Sequence, residues 1–162
     1  MPVDGKVRKQ VLQMLHNGIY VMTTRSGGQC CASVVTWLSQ ASFRPPLIMA
    51  ALRKDSRLYE ALSESGVAAL HVVATGQLEV ARKFLTHTPG EDGAFDGEAF
   101  GDGVTSAPVL ACAPAYLECR LRRSVDDMGD HAVVLMEVVE AQCRRDDVRA
   151  LSVAETPWRY GG

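Results

Sequence analysis

Three short segments of this chain combine residue types that chemistry could use. Arg53-Lys54-Asp55-Ser56-Arg57 lies between an apolar run and a helical pattern. A helix that starts there leaves its first backbone N–H groups unpaired, and its dipole favours an anion. Arg53, Lys54 and Arg57 add cationic donors and Ser56 a hydroxyl, a set suited to a dianionic phosphate. Asp55 opposes an anion unless its side chain turns away to cap the helix, and the segment also reads as a solvated, capped helix start. Ala32-Ser33-Val34-Val35-Thr36-Trp37 offers hydroxyls, strand backbone and one indole. Such a strand suits a flat heterocycle, or else forms an edge with Trp37 in the core. Gly129-Asp130-His131 sets a histidine at the mouth of an apolar strand, where it either faces a cleft or serves as a capping residue.

Other chemistries find no footing. There is no G-x-x-x-x-G-K-S/T loop, no G-x-G-x-x-G opening a helix and no G-x-S-x-G elbow. Gly101-Asp102-Gly103 follows no strand pattern and precedes no helix, so it reads as a loop, and Asp126-Asp127 and Asp146-Asp147 read as solvated turns. His16, His71, His87 and His131 are scattered without zinc-ligand spacing. Cys30, Cys31, Cys112, Cys119 and Cys143 are odd in number, and the adjacent pair has poor geometry for a structural disulfide. They read as reduced thiols that pack as small hydrophobes.

The elements that must position these segments follow from periodicity. Val7, Val11, Met14 and Leu15 recur at helical spacing and predict an amphipathic helix over residues 4–16. Gly18 to Thr24 and Gln29 to Leu38 read as two strands of a hairpin turned at Gly27-Gly28. Leu47 to Leu52 is an apolar run short enough for a strand buried on both faces. Leu58, Ala61 and Leu62 mark a helical face, Val67 to Val73 another buried strand, and Leu78, Ala81 and Leu85 one face of a further helix opened by Gly76. Residues 88–107 are glycine-rich, acidic and aperiodic and read as one long loop. Ala115, Leu117, Cys119 and Leu121 alternate with Tyr116, Glu118, Arg120 and Arg122, a half-buried strand. Ala132 to Val139 is another strand, with short closing strands expected at Arg149 to Val153 and Trp158 to Tyr160. Strands outnumber helices without regular alternation, which favours a closed barrel with peripheral helices over a doubly wound sheet.

Size and charge bound the rest. At 162 residues, 47% hydrophobic and 22% charged, the chain suits a single globular domain over residues 1–162. Its net charge of −2 offers no basic field for nucleic acid or an anionic membrane. No apolar run approaches the ~20 residues that span a bilayer, and Met1 to Gln10 lacks the apolar stretch of a secretory signal. A cytoplasmic protein without nucleic-acid or membrane partners is expected.

In order along the chain stand Thr36-Trp37-Leu38-Ser39-Gln40-Ala41-Ser42-Phe43-Arg44-Pro45-Pro46, Lys54-Asp55-Ser56-Arg57, Lys83-Phe84-Leu85, Pro108-Val109-Leu110, Ala115-Tyr116-Leu117-Glu118-Cys119 and Gly129-Asp130-His131. This series resembles the flavin reductase-like, FMN-binding split barrels over roughly residues 12–160, in particular the reductase modules of flavodiiron proteins and the flavoredoxins. The resemblance implies a mainly β fold with peripheral helices, a six-stranded antiparallel split β-barrel that binds FMN and works as a homodimer. It implies flavin contacts from Cys31, Ala32, Ser33, Val34, Thr36 and Trp37, with Ala51, Leu52 and Arg53 beneath the ring and ribityl chain. Ser56 and Arg57 would hold the phosphate, Lys83 and Phe84 would flank the cofactor, and His131 would face the nicotinamide. Trp158-Arg159-Tyr160 resembles the closing segment beside the active site, without the tail of longer reductases. His71 stands where many relatives carry asparagine, and Met136 where a glycine is common.

The implied activity is an NAD(P)H-dependent flavin reductase, with FMN (or FAD) as flavin and NADH or NADPH as electron donor. Such chemistry belongs to the flavin, so no protein nucleophile or general base is needed. Two other readings remain open at this level. One is a flavoredoxin-like FMN module that docks to a redox-protein partner and uses nicotinamide little; the other is a split barrel holding a different flat ligand such as haem.

Overall fold

A computed structural model describes residues 2–162. Helix α1 (Gly5–Gln13) is capped by Asp4, whose carboxylate accepts from the N–H groups of Lys6 and Val7. Strands β1 (Tyr20–Ser26) and β2 (Gln29–Val35) form the expected hairpin, and both turn glycines adopt positive φ. The chain bends at Thr36 and Trp37 and continues as β3 (Leu38–Ser42), so the expected single strand Gln29 to Leu38 is two. Then follow β4 (Leu47–Arg53), α2 (Arg57–Ser65), β5 (Val67–Val72), α3 (Leu78–Lys83), β6 (Thr88–Gly90), β7 (Ala94–Phe95), β8 (Glu98–Asp102), β9 (Pro108–Leu110), β10 (Ala115–Val125) and β11 (His131–Cys143). No helix is long and apolar enough to cross a membrane among the described residues.

The protein is mainly β. Eight strands form one antiparallel sheet in the order β3-β4-β11-β10-β5-β1-β2-β6, and β7, β8 and β9 form a second, small sheet. Because β2 runs into β3 through two residues, the β3 end of the sheet is tied covalently back to β2. The Ala51 N–H donates to the Trp37 carbonyl at 2.9 Å across that corner. Two cores result. Met22, Val35, Ile48, Leu62, Leu70 and Val134 pack with α2 on one side, while Ile19, Val21, Val73, Phe84, Phe95 and Leu110 pack on the other.

Several expectations are corrected. Strand β4 is not buried on both faces: Ile48, Ala50 and Leu52 face the core while Met49 stays 41% exposed, the half-buried pattern of a sheet with one wet face. Helix α3 stops at Lys83, so Leu85 lies beyond it and is exposed. Residues 88–107 are not one loop but carry β6, β7 and β8. Asp92-Gly93 and Asp96-Gly97 each take positive φ at both residues, the requirement of tight hairpin turns. Phe95 anchors the segment, fully buried with its ring centroid 4.5 Å from Phe100 and 6.1 Å from Phe84. In β10 the expected alternation holds, with Leu117, Cys119 and Leu121 packed on the first core. Glu118 on the opposite face is buried as well, and the register shift beside it places the extra residue, Val139, on β11. The segments Arg149 to Val153 and Trp158 to Tyr160 are not strands; isolated bridges join Ala150 to Ala74 and Ser152 to Gly18.

Two departures from the family pattern acquire a structural reason. Met136 is fully buried in the first core. His71, 1% exposed, joins three strands: its Nδ1 lies 2.9 Å from the Val21 carbonyl and its Nε2 accepts from the Leu110 N–H at 3.0 Å. That arrangement fixes the neutral Nδ1–H tautomer, and burial pushes the imidazole down to about 4.

Candidate functional site

A cleft of about 240 Å³ opens where the β2–β3 corner meets the end of β4, the start of α2 and the C-terminal segment. Ser33, Val34, Thr36 and Trp37 reach it from β2 and the corner, Ala51, Leu52 and Arg53 from β4, and Ser56 from the α2 cap. Eight residues singled out from the sequence therefore share one cleft. The alternation of β4 explains part of this: Ala51 and Arg53 lie on the face opposite the core-facing Ala50 and Leu52.

Ser56 is the N-cap of α2, with Oγ accepting from the Tyr59 N–H at 3.1 Å and donating to the Arg53 carbonyl at 2.7 Å. Arg53 forms a bidentate pair with Asp55 at 2.9 and 2.7 Å, which draws the acid away from the helix start and holds its carboxyl below the usual range. Arg57 pairs with Glu60 on its own helix and borders a separate cavity of about 480 Å³ beside the β1–β2 turn.

The remaining candidates lie around the cleft without lining it. Cys31, Ala32 and Phe84 are buried in the two cores, and burial raises the Cys31 thiol to about 11. Phe84 acts through its carbonyl, which accepts from the Val34 N–H at 2.7 Å. Lys83 pairs with Glu98 at 2.8 Å. His131 sits behind Trp37, with ring centroids 4.7 Å apart. Its Nδ1 lies 2.7 Å from Asp130 Oδ1 and its Nε2 2.9 Å from the Tyr160 hydroxyl. Tyr160 also packs 5.0 Å from Trp37, and partial burial raises its phenol against the lowering influence of Arg53.

The C-terminal Trp158, Arg159 and Tyr160 complete the wall, as the resemblance implied, although they form no strand. Ile19, Leu58, Leu85 and Val153 also line the cleft. Leu58 was legible only as part of a helical face, and no sequence signal marked Ile19, Leu85 or Val153 as lining residues. The Ser56 hydroxyl binds a main-chain carbonyl rather than a base, so the cleft offers apolar walls, hydroxyls, a cation and a helix start rather than an activated nucleophile. It is built to bind and orient.

Comparison with known proteins agrees with this architecture. Residues 12–156 match the family model for the flavin reductase like domain. The NADH-dependent FAD reductase of Streptomyces globisporus is 32% identical over 145 residues, covering 86% of this chain and 78% of that protein. Diflavin flavoprotein A 1 of Synechocystis sp. is 27% identical over 141 residues, 86% of this chain but 24% of that protein, so the chain spans about a quarter of such relatives. The solved structure of the Streptomyces globisporus C-1027 NADH:FAD oxidoreductase SgcE6 superposes with a TM-score of 0.80 at 28% identity, covering 94% of this chain and 91% of that one. Matched along nearly its whole length in sequence and in fold, this chain belongs to the flavin reductase-like domain family.

Proposed function

We propose that this protein is an NAD(P)H-dependent flavin reductase that takes FMN, or FAD, in the cleft and uses NADH or NADPH as electron donor. The observation that carries this reading is the convergence of β2, β4 and the α2 cap on one aromatic-walled cleft, in a chain whose relatives include a named NADH-dependent FAD reductase. Residues 1–162 act as one six-stranded split-barrel domain, a reading supported by the covalent return of β3 to β2.

The donor set fits a flavin nucleotide. The small side chain of Ala51 leaves room beneath a ring, and Trp37 walls one end of the cleft. Ser33, Val34, Thr36 and Leu52 complete the ring's surroundings. Cys31 and Ala32 anchor their strand in the two cores, and the Phe84 carbonyl holds it through Val34, while Lys83, paired with Glu98, flanks the site. Ser56 and Arg57 anchor the phosphate at the α2 start, where the first-turn N–H groups lack helical acceptors, and Arg53 flanks it. The Arg53–Asp55 and Arg57–Glu60 pairs are both solvent-exposed, so redirecting either guanidinium to a phosphate costs little. Bound flavin supplies the redox chemistry, accepting electrons from the nicotinamide. His131, behind Trp37, orients the nicotinamide.

The protein acts as a homodimer. No residue of α1 is buried, yet Val7 and Val11 stand 53% and 54% exposed on one helical stripe. Met49 and Val133 add a second exposed apolar face, and Val133 pairs in register with the cleft residue Ala51. A cytoplasmic setting accords with five unpaired cysteines.

The test is NADH and NADPH oxidation by the purified protein with FMN, FAD or riboflavin. Turnover that depends on added flavin supports the reductase. A protein that holds FMN, is bleached by dithionite and oxidises neither nucleotide is instead a flavoredoxin-like module serving a redox-protein partner.

A further inference from the structure

Asp130, His131 and Tyr160 form a hydrogen-bonded chain whose direction follows for the neutral imidazole. The Asp130 carboxylate, held below its usual range by His131, only accepts, so His131 Nδ1 at 2.7 Å carries the proton. In the neutral ring Nε2 is then an acceptor, and the Tyr160 hydroxyl at 2.9 Å donates to it. The imidazole is held against Trp37 and Tyr160, both of which line the cleft, and the His131 side chain is 16% exposed. Tyr160 is lightly held. It is 45% exposed, lies outside any strand or helix, and its segment is tethered to α1 by one bond, from Gln13 Nε2 to the Gly161 carbonyl at 3.1 Å.

A nicotinamide carboxamide carries N–H donors, the same kind of group that Tyr160 presents to Nε2. We propose that the Tyr160 phenol is a displaceable stand-in for that amide: His131 Nε2 accepts from Tyr160 in the free protein and from the carboxamide when the dinucleotide binds. Asp130 is then a positioning residue that keeps Nε2 an acceptor. The exchange makes the site selective for the amide over the corresponding carboxylic acid, which has no N–H and whose charge is repelled by Asp130. This inference rests on the reductase reading, since it concerns how that donor is admitted.

Calorimetry with FMN-loaded protein tests it, using NAD⁺ and its nicotinic acid analogue as probes. Tyr160→Phe removes a competitor, so it should bind NAD⁺ about fivefold more tightly, the equivalent of one neutral hydrogen bond. His131→Ala should abolish that gain. The parent should prefer the amide by about tenfold or more, and Asp130→Ala should reduce this preference to about threefold or less, the equivalent of losing most of one hydrogen bond. Nitrogen NMR of His131 in the free protein should report the Nδ1–H tautomer, and Asp130→Ala should mix the two forms.

Weaker NAD⁺ binding by Tyr160→Phe would mean that Tyr160 merely supports His131, and it overturns the exchange while leaving the reductase intact. Equal affinity of the parent for amide and acid also overturns the exchange alone. A parent that holds FMN but neither binds NAD⁺ nor oxidises NADH or NADPH overturns the reductase reading and this inference with it.

Discussion

Acid should destabilise this protein through one side chain before its carboxylates titrate. His71 is buried, its Nδ1–H donates to the Val21 carbonyl, its Nε2 accepts from the Leu110 N–H, and burial lowers it from 6.5 to about 4. The folded value lies below the unfolded one, so the unfolded chain binds a proton first as pH falls. Above about pH 6.5 both states are neutral and nothing is lost. Between about pH 6.5 and pH 4 stability falls, by at most about 3 kcal/mol at ~1.4 kcal/mol per pH unit, and by about 2 kcal/mol at pH 5. His71→Gln keeps one donor and one acceptor but does not titrate. Urea unfolding of the parent and of His71→Gln at about pH 7.5 and pH 5 isolates the effect, because the other histidines and the acids change equally in both. The parent should lose about 2 kcal/mol more than the variant over that interval. Equal losses would show that His71 does not remain neutral in the fold and would refute the argument.

Three further outcomes are expected. Arg57→Glu should weaken FMN at least about tenfold, since a charge-assisted bond is worth on the order of 1.5–3 kcal/mol, and should leave riboflavin nearly unaffected in fluorescence titrations; equal losses for both would move the phosphate anchor elsewhere. Glu118, 1% exposed, accepts from the Val104 and Thr105 N–H groups and the Thr105 hydroxyl, so Glu118→Gln, which turns an N–H₂ toward one of these donors, should cost about 2 kcal/mol in urea unfolding. A loss below about 0.5 kcal/mol would mean the loop does not depend on it. Val11→Glu should halve the mass seen by light scattering without lowering the melting temperature of the subunit, and an unchanged mass would remove α1 from the dimer contact.

Much of this architecture was legible because periodicity records which face meets the core. The helical spacing of Leu58, Ala61 and Leu62 located α2, and the turn glycines located the β1–β2 hairpin. The segments that misled are those where local signals are short. Strands of two to five residues, as in β7 and β8, are too brief to show alternation, although the Asp92-Gly93 and Asp96-Gly97 pairs carried the turn signal. The bulge at Val139, opposite Glu118 and Cys119, could not be read from alternation, because a register shift is a relation between two strands.

The same division holds at the site. Residue types and order alone determined the family, the hydroxyl-bearing segment that runs to Trp37 and the helix start after the Arg53 to Arg57 segment, since these depend on local backbone and side-chain chemistry. The structure gives the cap to Ser56 rather than Asp55 and ends the strand at Val35. Only the tertiary structure decided that Arg53 faces the cleft while Arg57 turns to Glu60, that Cys31 and Phe84 belong to the cores, and that Tyr160, distant in sequence, bonds His131. The physical reason is that one residue's rotation about a strand or helix axis sets which neighbours its side chain meets, and packing of the whole sheet fixes that rotation.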